Sequence, residues 1–303
     1  MIVRWSLAEL PNVLDELGVA RPLLVASSRW TVDLPAIGRW TEVPSPEIDV
    51  PPAADSLIAL GGGSAIDSAK HASAKSGLPL ISIPTTYSGA EWTQGFGIRT
   101  PDRRMVGGGG GANLAGIVYE VELTRDLPSA ETVGTSMNAL AHCAEALYVT
   151  GRNDAGDARA LEGAALIAAA LPAMDREQLL RGAAAGGEAL ALAGLGIAHA
   201  MAQALGGRYG LPHGAMNALC LPPGLRFAER DAPGEVARFR AALGGTTPEE
   251  LAALGGFGSL RDSGVPEAEL PEVAAAAAER QGNRNMRRPA EPGEIEALLR
   301  SIY

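Results

Sequence analysis

Residues 56–83 constrain the fold of this chain more than any other stretch. An apolar segment, SLIAL, runs into a GGGS turn at residues 61–64, a helical pattern covers residues 65–76, and a second apolar segment, LPLISI, follows. Strand, glycine turn, helix and strand in this order predict a βαβ unit and therefore a parallel, helix-covered sheet. Because glycines let the backbone approach a ligand and a helix N-terminus offers free N–H groups, a pyrophosphate fits this turn.

The pattern changes from alternating strands and helices to helices alone near residue 128. Before it, residues 7–17 predict a helix, residues 21–27 and 117–119 predict strands, and the glycine run Gly107–Gly111 predicts a flexible loop. After it, Ala-rich helical periodicity continues to the C-terminus. The predicted helices cover residues 131–150, 157–170, 176–194, 197–206, 233–243 and 269–279. We therefore expect an α/β domain over residues 1–127 and an all-helical domain over residues 128–303.

Composition excludes several classes of function. The net charge of −10 argues against binding nucleic acid or an anionic membrane, since both require a basic surface. No apolar run reaches membrane-spanning length and the N-terminus has no signal-peptide pattern, so we expect a cytoplasmic protein. Cys143 and Cys220 lie in apolar contexts, which predicts buried free thiols. With only 4% aromatic residues and abundant Ala and Gly, the helices should pack closely.

Two further groups of residues carry chemistry. Hydroxyl groups follow the strand that ends at Ile83, so Thr85, Thr86 and Ser88 should share the carboxyl edge of the sheet with the glycine turn, where α/β proteins bind ligands. Three of the four histidines lie in the helical half, and one of them, His142, shares a helix face with Asn138. Three imidazoles with an open position would suit zinc or ferrous iron, although an Asn is a weak ligand.

In combination these motifs resemble the iron-containing alcohol dehydrogenase family, and within it the maleylacetate reductase branch. The similar stretches are GGGSAIDSAK, IPTTYSGAEWT, SMNALAHCAEALY and HAMAQALGGRYGLPHG, together with SLRDSGVPE near the C-terminus. The resemblance implies a dinucleotide-binding domain, a helical domain, an active site between them, and a homodimer. The residues implied to bind NADH or NADPH are Gly61, Gly62, Gly63, Ser64, Asp67, Thr85, Thr86, Ser88 and Ser27.

The resemblance also implies catalytic roles for Asn138, His142, His199 and His213. These positions match an Asp and three His that hold the metal in metal-dependent relatives. Because Asn replaces Asp, as in the maleylacetate reductase branch, we expect a metal-free site in which the histidines polarise the substrate and donate a proton. If zinc or iron is bound, the three histidines are its expected ligands.

Two departures affect the cofactor. The chain between the strands at residues 23–27 and 56–60 is some tens of residues shorter than in relatives, where a further helix lies near the adenosine. The first of these strands ends in Ser27, Ser28 and Arg29, without the acidic residue that favours NAD, so we expect NADPH to be accepted at least as well as NADH.

We therefore expect a reductase that transfers hydride to a carbonyl or activated double bond of a small anionic substrate, with Tyr87 and Arg208 as further candidate contacts. Three alternatives remain: a metal-dependent alcohol dehydrogenase, a lyase of the dehydroquinate synthase type, and a truncated family member that only binds.

Overall fold

The computed structural model describes residues 1–101 and 104–303. It divides the chain into two compact units. The first comprises residues 1–86 and 90–127, and the second comprises residues 87–89 and 128–303. Each unit has its own arrangement of secondary structure and its own candidate site.

The first unit is built on a parallel sheet of six strands. Its strands are β1 (Ile2–Arg4), β2 (Pro22–Val25), β3 (Gly38–Trp40), β4 (Ser56–Gly61), β5 (Leu80–Pro84) and β8 (Leu114–Val118). They lie in the order β1-β8-β5-β4-β2-β3, and each neighbouring pair is parallel. A two-stranded antiparallel sheet joins β6 (Phe96–Arg99) and β7 (Met105–Gly109), and the helices are α1 (Leu10–Leu17) and α2 (Gly63–Ser76). The predicted parallel α/β class and the βαβ unit are confirmed.

Alternate residues of the buried strands enter two cores on opposite faces of the sheet, as the period-2 geometry of strands requires. On one face α2 packs against Leu57 and Ala59, and on the other α1 packs against Ile58 and Leu60. The connection from β2 to β3 lies on the α1 face, because its residue Trp30 packs there. The chain therefore leaves β2 and β4 toward opposite faces, which makes their carboxyl ends a topological switch point.

The second unit is helical over the residues described. Its helices are α3 (Ser129–Ala146), α4 (Asp154–Ala170), α5 (Arg176–Ala193), α6 (Ile197–Tyr209), α7 (His213–Ala228), α8 (Pro233–Ala242), α9 (Pro248–Ala253), α10 (Leu270–Ala278), α11 (Gln281–Arg284) and α12 (Pro292–Arg300). Close packing through small residues is confirmed, since a Cβ on Gly186 of α5 would lie 2.8 Å from the carbonyl oxygen of Ala139 on α3. The predicted helices are confirmed to within a few residues at their ends.

One sequence prediction is wrong and one helix was missed. Much of the Gly107–Gly111 run is not a flexible loop, because Gly107, Gly108 and Gly109 belong to β7 and pair with β6, where the Phe96 ring covers Gly109. The helices predicted from the sequence do not include residues 213–228, which form α7. Pro222 and Pro223 break the sequence signal inside this helix, but its neighbours α3 and α6 hold the chain helical.

Both cysteines are free and buried, as predicted. Within the described residues no single helix is long and apolar enough to cross a membrane. The consecutive helices α5 and α6 pass a test of length and composition only when taken together, and a bend of 103° separates them.

Candidate active site

The first candidate site lies at the carboxyl ends of β4 and β5 in the first unit. Gly61 has φ +152°, and a Cβ there would lie 2.8 Å from the Cβ of Ala65, so only glycine fits this close approach. The Thr85 N–H donates to the Gly61 carbonyl oxygen over 3.0 Å, which ties the ends of the two strands together. The hydroxyls of Thr85 and Thr86 are buried and have no hydrogen-bond partner among the described residues.

The glycine turn presents backbone where a phosphate would need it. Gly62 precedes α2, and within the described residues the start of this helix has no side-chain cap for its free N–H groups. A Cβ on Gly62 would lie 2.8 Å from the methyl carbon of Thr86, so the turn and the hydroxyl-bearing loop touch. Bare helix N–H groups beside two unsatisfied hydroxyls fit the oxygens of a dinucleotide diphosphate.

Four of the remaining predicted cofactor residues lie in the first unit and one lies in the second. Gly63 and Ser64 form the first turn of α2. Ser27 lies two residues beyond the end of β2 and begins a turn in which its carbonyl oxygen accepts the Trp30 N–H over 3.2 Å. Asp67 is already engaged, because its carboxylate accepts the Gly97 N–H over 3.2 Å and pairs with Lys70. Ser88 belongs to the second unit.

The second candidate site is a polar cluster inside the helical unit. Helix α3 carries Asn138, His142 and Glu145 on one face, because their spacing of four and three residues matches the helical repeat. Helix α6 supplies His199 and α7 supplies His213. The ring centroids of His142 and His199 lie 4.7 Å apart, and those of His199 and His213 lie 5.7 Å apart.

A chain of hydrogen bonds fixes the orientation of the Asn138 amide. Its Nδ2 donates to the Ser88 carbonyl oxygen over 2.8 Å, and a carbonyl can only accept. The Asn138 Oδ1 therefore accepts from Asn217 Nδ2 at 2.7 Å and faces His199 Nε2 at 3.1 Å. Since Oδ1 has no hydrogen, His199 Nε2 must carry the proton in this contact.

The same logic extends to both ends of the cluster. His199 Nδ1 lies 2.6 Å from the Glu145 carboxylate, which also accepts the His199 backbone N–H over 3.0 Å. At the other end the Asn217 amide Nδ2 lies 3.0 Å from His213 Nε2. Because that amide nitrogen is a donor, His213 Nε2 acts as an acceptor.

His142 has a different environment. Its Nδ1 is buried and has no hydrogen-bond partner among the described residues. A Cβ on Gly89 would lie 3.2 Å from this nitrogen, and Gly89 has φ +69°, so glycine is needed for the close approach. Burial holds the pKa of His142 well below its usual value, and the neighbouring His199 and His213 lower it further because a second positive charge there would be repelled. The ring is therefore neutral at ordinary pH.

Two family models and several curated proteins match this chain. The model of the Fe-containing alcohol dehydrogenase family, C-terminal part, matches residues 132–303, and the iron-containing alcohol dehydrogenase model matches residues 51–112. The maleylacetate reductase of Pseudomonas knackmussii is 32% identical over 98% of this chain and 93% of its own length. That of Burkholderia cepacia is 34% identical over 82% of this chain and 74% of its own.

The chain belongs to the iron-containing alcohol dehydrogenase family. Its similarity to maleylacetate reductases puts it in that branch. The chain is therefore an oxidoreductase, and more narrowly a reductase of this family. The crystal structure of the maleylacetate reductase from Rhizobium sp. strain MTP-10005 superposes with a TM-score of 0.86 at 27% identity, and the match covers 100% of this chain and 95% of the other. The two-part fold expected from the resemblance is confirmed.

The iron of the family name does not fit the donors of this cluster. A metal ligand needs a lone pair, but His199 Nε2 donates its hydrogen to Asn138 and His199 Nδ1 faces Glu145. In the described part of the chain, no group of three His, Cys, Asp or Glu side chains is arranged to hold an ion. The amide of Asn138 also offers no charge to compensate a divalent cation.

Sequence reasoning missed two members of the cluster, Glu145 and Asn217. Each lies on a helix face with a predicted site residue, Glu145 three residues after His142 and Asn217 four after His213, so helical spacing held a usable signal. Of the two candidate substrate contacts, Tyr87 is fully buried, whereas Arg208 forms ion pairs with Glu269 and Glu272.

Proposed function

We propose that this protein is an NAD(P)H-dependent reductase that adds hydride to the carbonyl or conjugated double bond of a small anionic substrate and works without a metal. The observation that carries the proposal is the convergence of three imidazoles and two amides, from three helices, in one buried cluster. Such a cluster can orient and protonate a single acceptor atom.

A dihydronicotinamide, when bound, would supply a hydride, with its electron pair, to the electrophilic carbon of the substrate. The electron pair of the former double bond must then take up a proton, and a hydrogen-bond donor must polarise the substrate oxygen. His142, which is neutral, can donate a hydrogen bond to that oxygen, as a neutral imidazole does in other enzymes. His213, whose Nε2 accepts from Asn217 in the neutral form, is the candidate proton donor. To act as one, the ring takes up a proton and then gives its Nδ1 proton to the substrate, which leaves a neutral imidazole.

Replacement of either histidine tests these roles. We expect His142→Ala and His213→Ala each to lower kcat by roughly 10²–10⁴-fold, the usual contribution of general acid catalysis. Thermal unfolding of both variants controls for damage to the fold. Activity equal to wild type in both variants would rule out the assignment.

Maleylacetate, the substrate named for the relatives, is the first substrate to test. The assay follows the loss of reduced-nicotinamide absorbance with maleylacetate and, as controls, with simple ketones and aldehydes. We expect turnover that survives extensive chelation, because no three His, Cys, Asp or Glu side chains among the described residues are arranged to hold an ion and Asn138 offers no charge to one. Dependence on added zinc or iron would favour a metal-dependent alcohol dehydrogenase, and metal dependence without net cofactor oxidation would favour a lyase.

NADPH should be accepted at least as well as NADH. Arg29, just beyond β2, is exposed, and within the described residues it has no carboxylate partner that would neutralise it, so it can meet a 2′-phosphate. The ratio of kcat/KM for the two cofactors tests this, and a strong preference for NADH would contradict it. The homodimer remains a prediction that sedimentation of the purified protein can test.

A further inference from the structure

The indole nitrogen of Trp30 in the first unit has no role in the two candidate sites described above. The indole nitrogen of Trp30 is buried and has no hydrogen-bond acceptor among the described residues. It lies against the glycine turn, 4.0 Å from the position that a Cβ on Gly61 would take. An indole N–H can only donate, and leaving a buried donor unsatisfied is costly, so this group is poised for an acceptor from outside the chain.

The protein holds Trp30 in this position from both sides. Its ring packs against the hydrophobic core on the α1 face of the sheet. Its backbone closes a tight turn, since the Trp30 N–H donates to the Ser27 carbonyl oxygen. Arg39, on β3, donates to the carbonyl oxygens of both Ser27 and Trp30. The indole is therefore fixed rather than free to find another partner.

The surroundings of Trp30 favour an anionic ligand. The Arg29 guanidinium lies over the Trp30 ring, 4.8 Å from its centroid. In the part of the chain that the structure describes, neither Arg29 nor Arg39 has a carboxylate within ion-pair distance, although the chain as a whole carries a net charge of −10. Arg29 over the Trp30 ring and Arg39 at the Trp30 backbone carbonyl thus leave positive charge near the indole, which favours an anionic acceptor such as a phosphate oxygen.

The topology brings these groups to one place. Trp30 follows β2 and the glycine turn follows β4, and these adjacent strands send the chain to opposite faces of the sheet. A crevice outside such strand ends is where α/β proteins bind nucleotides. The hydroxyls of Thr85 and Thr86, buried and also without partners in the described chain, lie at the same edge.

We propose that the Trp30 indole N–H donates a hydrogen bond to a diphosphate oxygen of the dinucleotide seated on the Gly61–Gly63 turn. The short connection from β2 to β3 thus supplies a cofactor ligand of its own, although it contains no helix. This inference rests on the proposed function, because it assumes that a dinucleotide binds here.

The test compares Trp30→Phe with wild type by calorimetric titration with NADPH, adenosine 5′-diphosphate and adenosine. Phenylalanine keeps an aromatic ring against the core and removes only the N–H and the second ring. We expect NADPH and the diphosphate to bind about 10- to 100-fold more weakly, the usual effect of losing a hydrogen bond to a charged group. Adenosine, which has no phosphate, should bind as it does to wild type.

Trp40→Phe is the matched control. Trp40 lies on the neighbouring strand, and its indole N–H is already satisfied by the Glu42 carbonyl oxygen at 2.9 Å. This variant should bind all three ligands as wild type does. A second measurement needs no stable Trp30 variant: in ¹⁵N–¹H spectra of wild type, one indole resonance should shift when the diphosphate is added and stay in place with adenosine.

The outcomes separate this inference from the proposed function. If wild type binds neither NADPH nor NADH, both fall together. If wild type binds them but Trp30→Phe binds as well or more tightly, the indole only occupies space beside the turn, and this inference alone is wrong. Equal loss of adenosine affinity would assign Trp30 to the base, and an indole spectrum unchanged by the diphosphate would also overturn the inference.

Discussion

The contact between Glu145 and His199 offers a quantitative test of the polar cluster. Glu145 is fully buried, and its carboxylate accepts the His199 backbone N–H over 3.0 Å and meets His199 Nδ1 at 2.6 Å. Glu145→Ala leaves two buried nitrogens of His199 without partners. Each buried nitrogen left without a partner costs about 1–3 kcal/mol, so the free energy of unfolding should fall by about 2–6 kcal/mol. That loss lowers the folded-to-unfolded ratio by roughly two to four orders of magnitude.

Glu145→Gln is the matched variant that separates charge from hydrogen bonding. A glutamine can accept the backbone N–H through its oxygen and donate to His199 Nδ1 through its nitrogen. His199 then keeps its hydrogen on Nε2 and its bond to Asn138. We therefore expect a loss below about 1 kcal/mol, because every buried polar group keeps a partner.

Urea unfolding of the two variants, followed by circular dichroism, measures these differences. Activity supplies the second readout: if Glu145 acts by positioning His199, the glutamine variant should retain far more activity than the alanine variant. A glutamine variant as unstable as the alanine variant would refute the hydrogen-bond assignment. An alanine variant within 1 kcal/mol of wild type would do the same, because two unsatisfied buried nitrogens cost more than that.

Three further predictions concern the glycine turn, one buried acid and the thiols. Gly62→Ala should lower the free energy of unfolding by about 1–3 kcal/mol and weaken dinucleotide binding, because its Cβ would lie 2.8 Å from the Thr86 methyl carbon. Adding Thr86→Ser removes that methyl group, so the double variant should regain stability in urea unfolding. Burial raises the pKa of Glu91 above 4.5, so between 4.5 and the folded pKa the unfolded chain binds fewer protons than the folded protein. The free energy of unfolding should therefore fall as the pH rises through this range. Glu91→Gln should flatten this pH dependence, and an unchanged slope would contradict the assignment. Burial raises the pKa of Cys143 to about 12 and also raises that of Cys220, so both thiols stay protonated and unreactive in the native protein at mildly alkaline pH. Iodoacetamide should label neither thiol in the native protein and both in urea, which mass spectrometry can check.

Much of the candidate site could be predicted because its signals are local. The helical repeat links Asn138 to His142, and the apolar strand before Gly61 identifies the glycine turn. Glu145 and Asn217 lie at equally regular spacing but were missed, because an isolated Glu or Asn on a helix carries no sign of its partner. Their roles depend on contacts across 54 residues for Glu145 with His199 and 79 for Asn217 with Asn138.

The strand β7 and the helix α7 were not predicted for the same reason, because both depend on contacts with other parts of the chain. The strand Met105–Gly109 contains three glycines, which lack strand propensity, and it exists because β6 pairs with it. Helix α7 continues through Pro222 and Pro223 although proline disfavours a helix interior, since packing in the helical unit outweighs local preference.

The fold class, the glycine turn between β4 and α2, the helical half and the three candidate histidines can all be read from the amino-acid sequence. They follow from periodicity and short-range spacing, which each segment carries alone. The orientation of the Asn138 amide oxygen toward His199 and the position of the Trp30 indole near Gly61 become visible only in the folded protein. Hydrogen-bond direction depends on atoms brought together by folding, and residues far apart in the chain supply them.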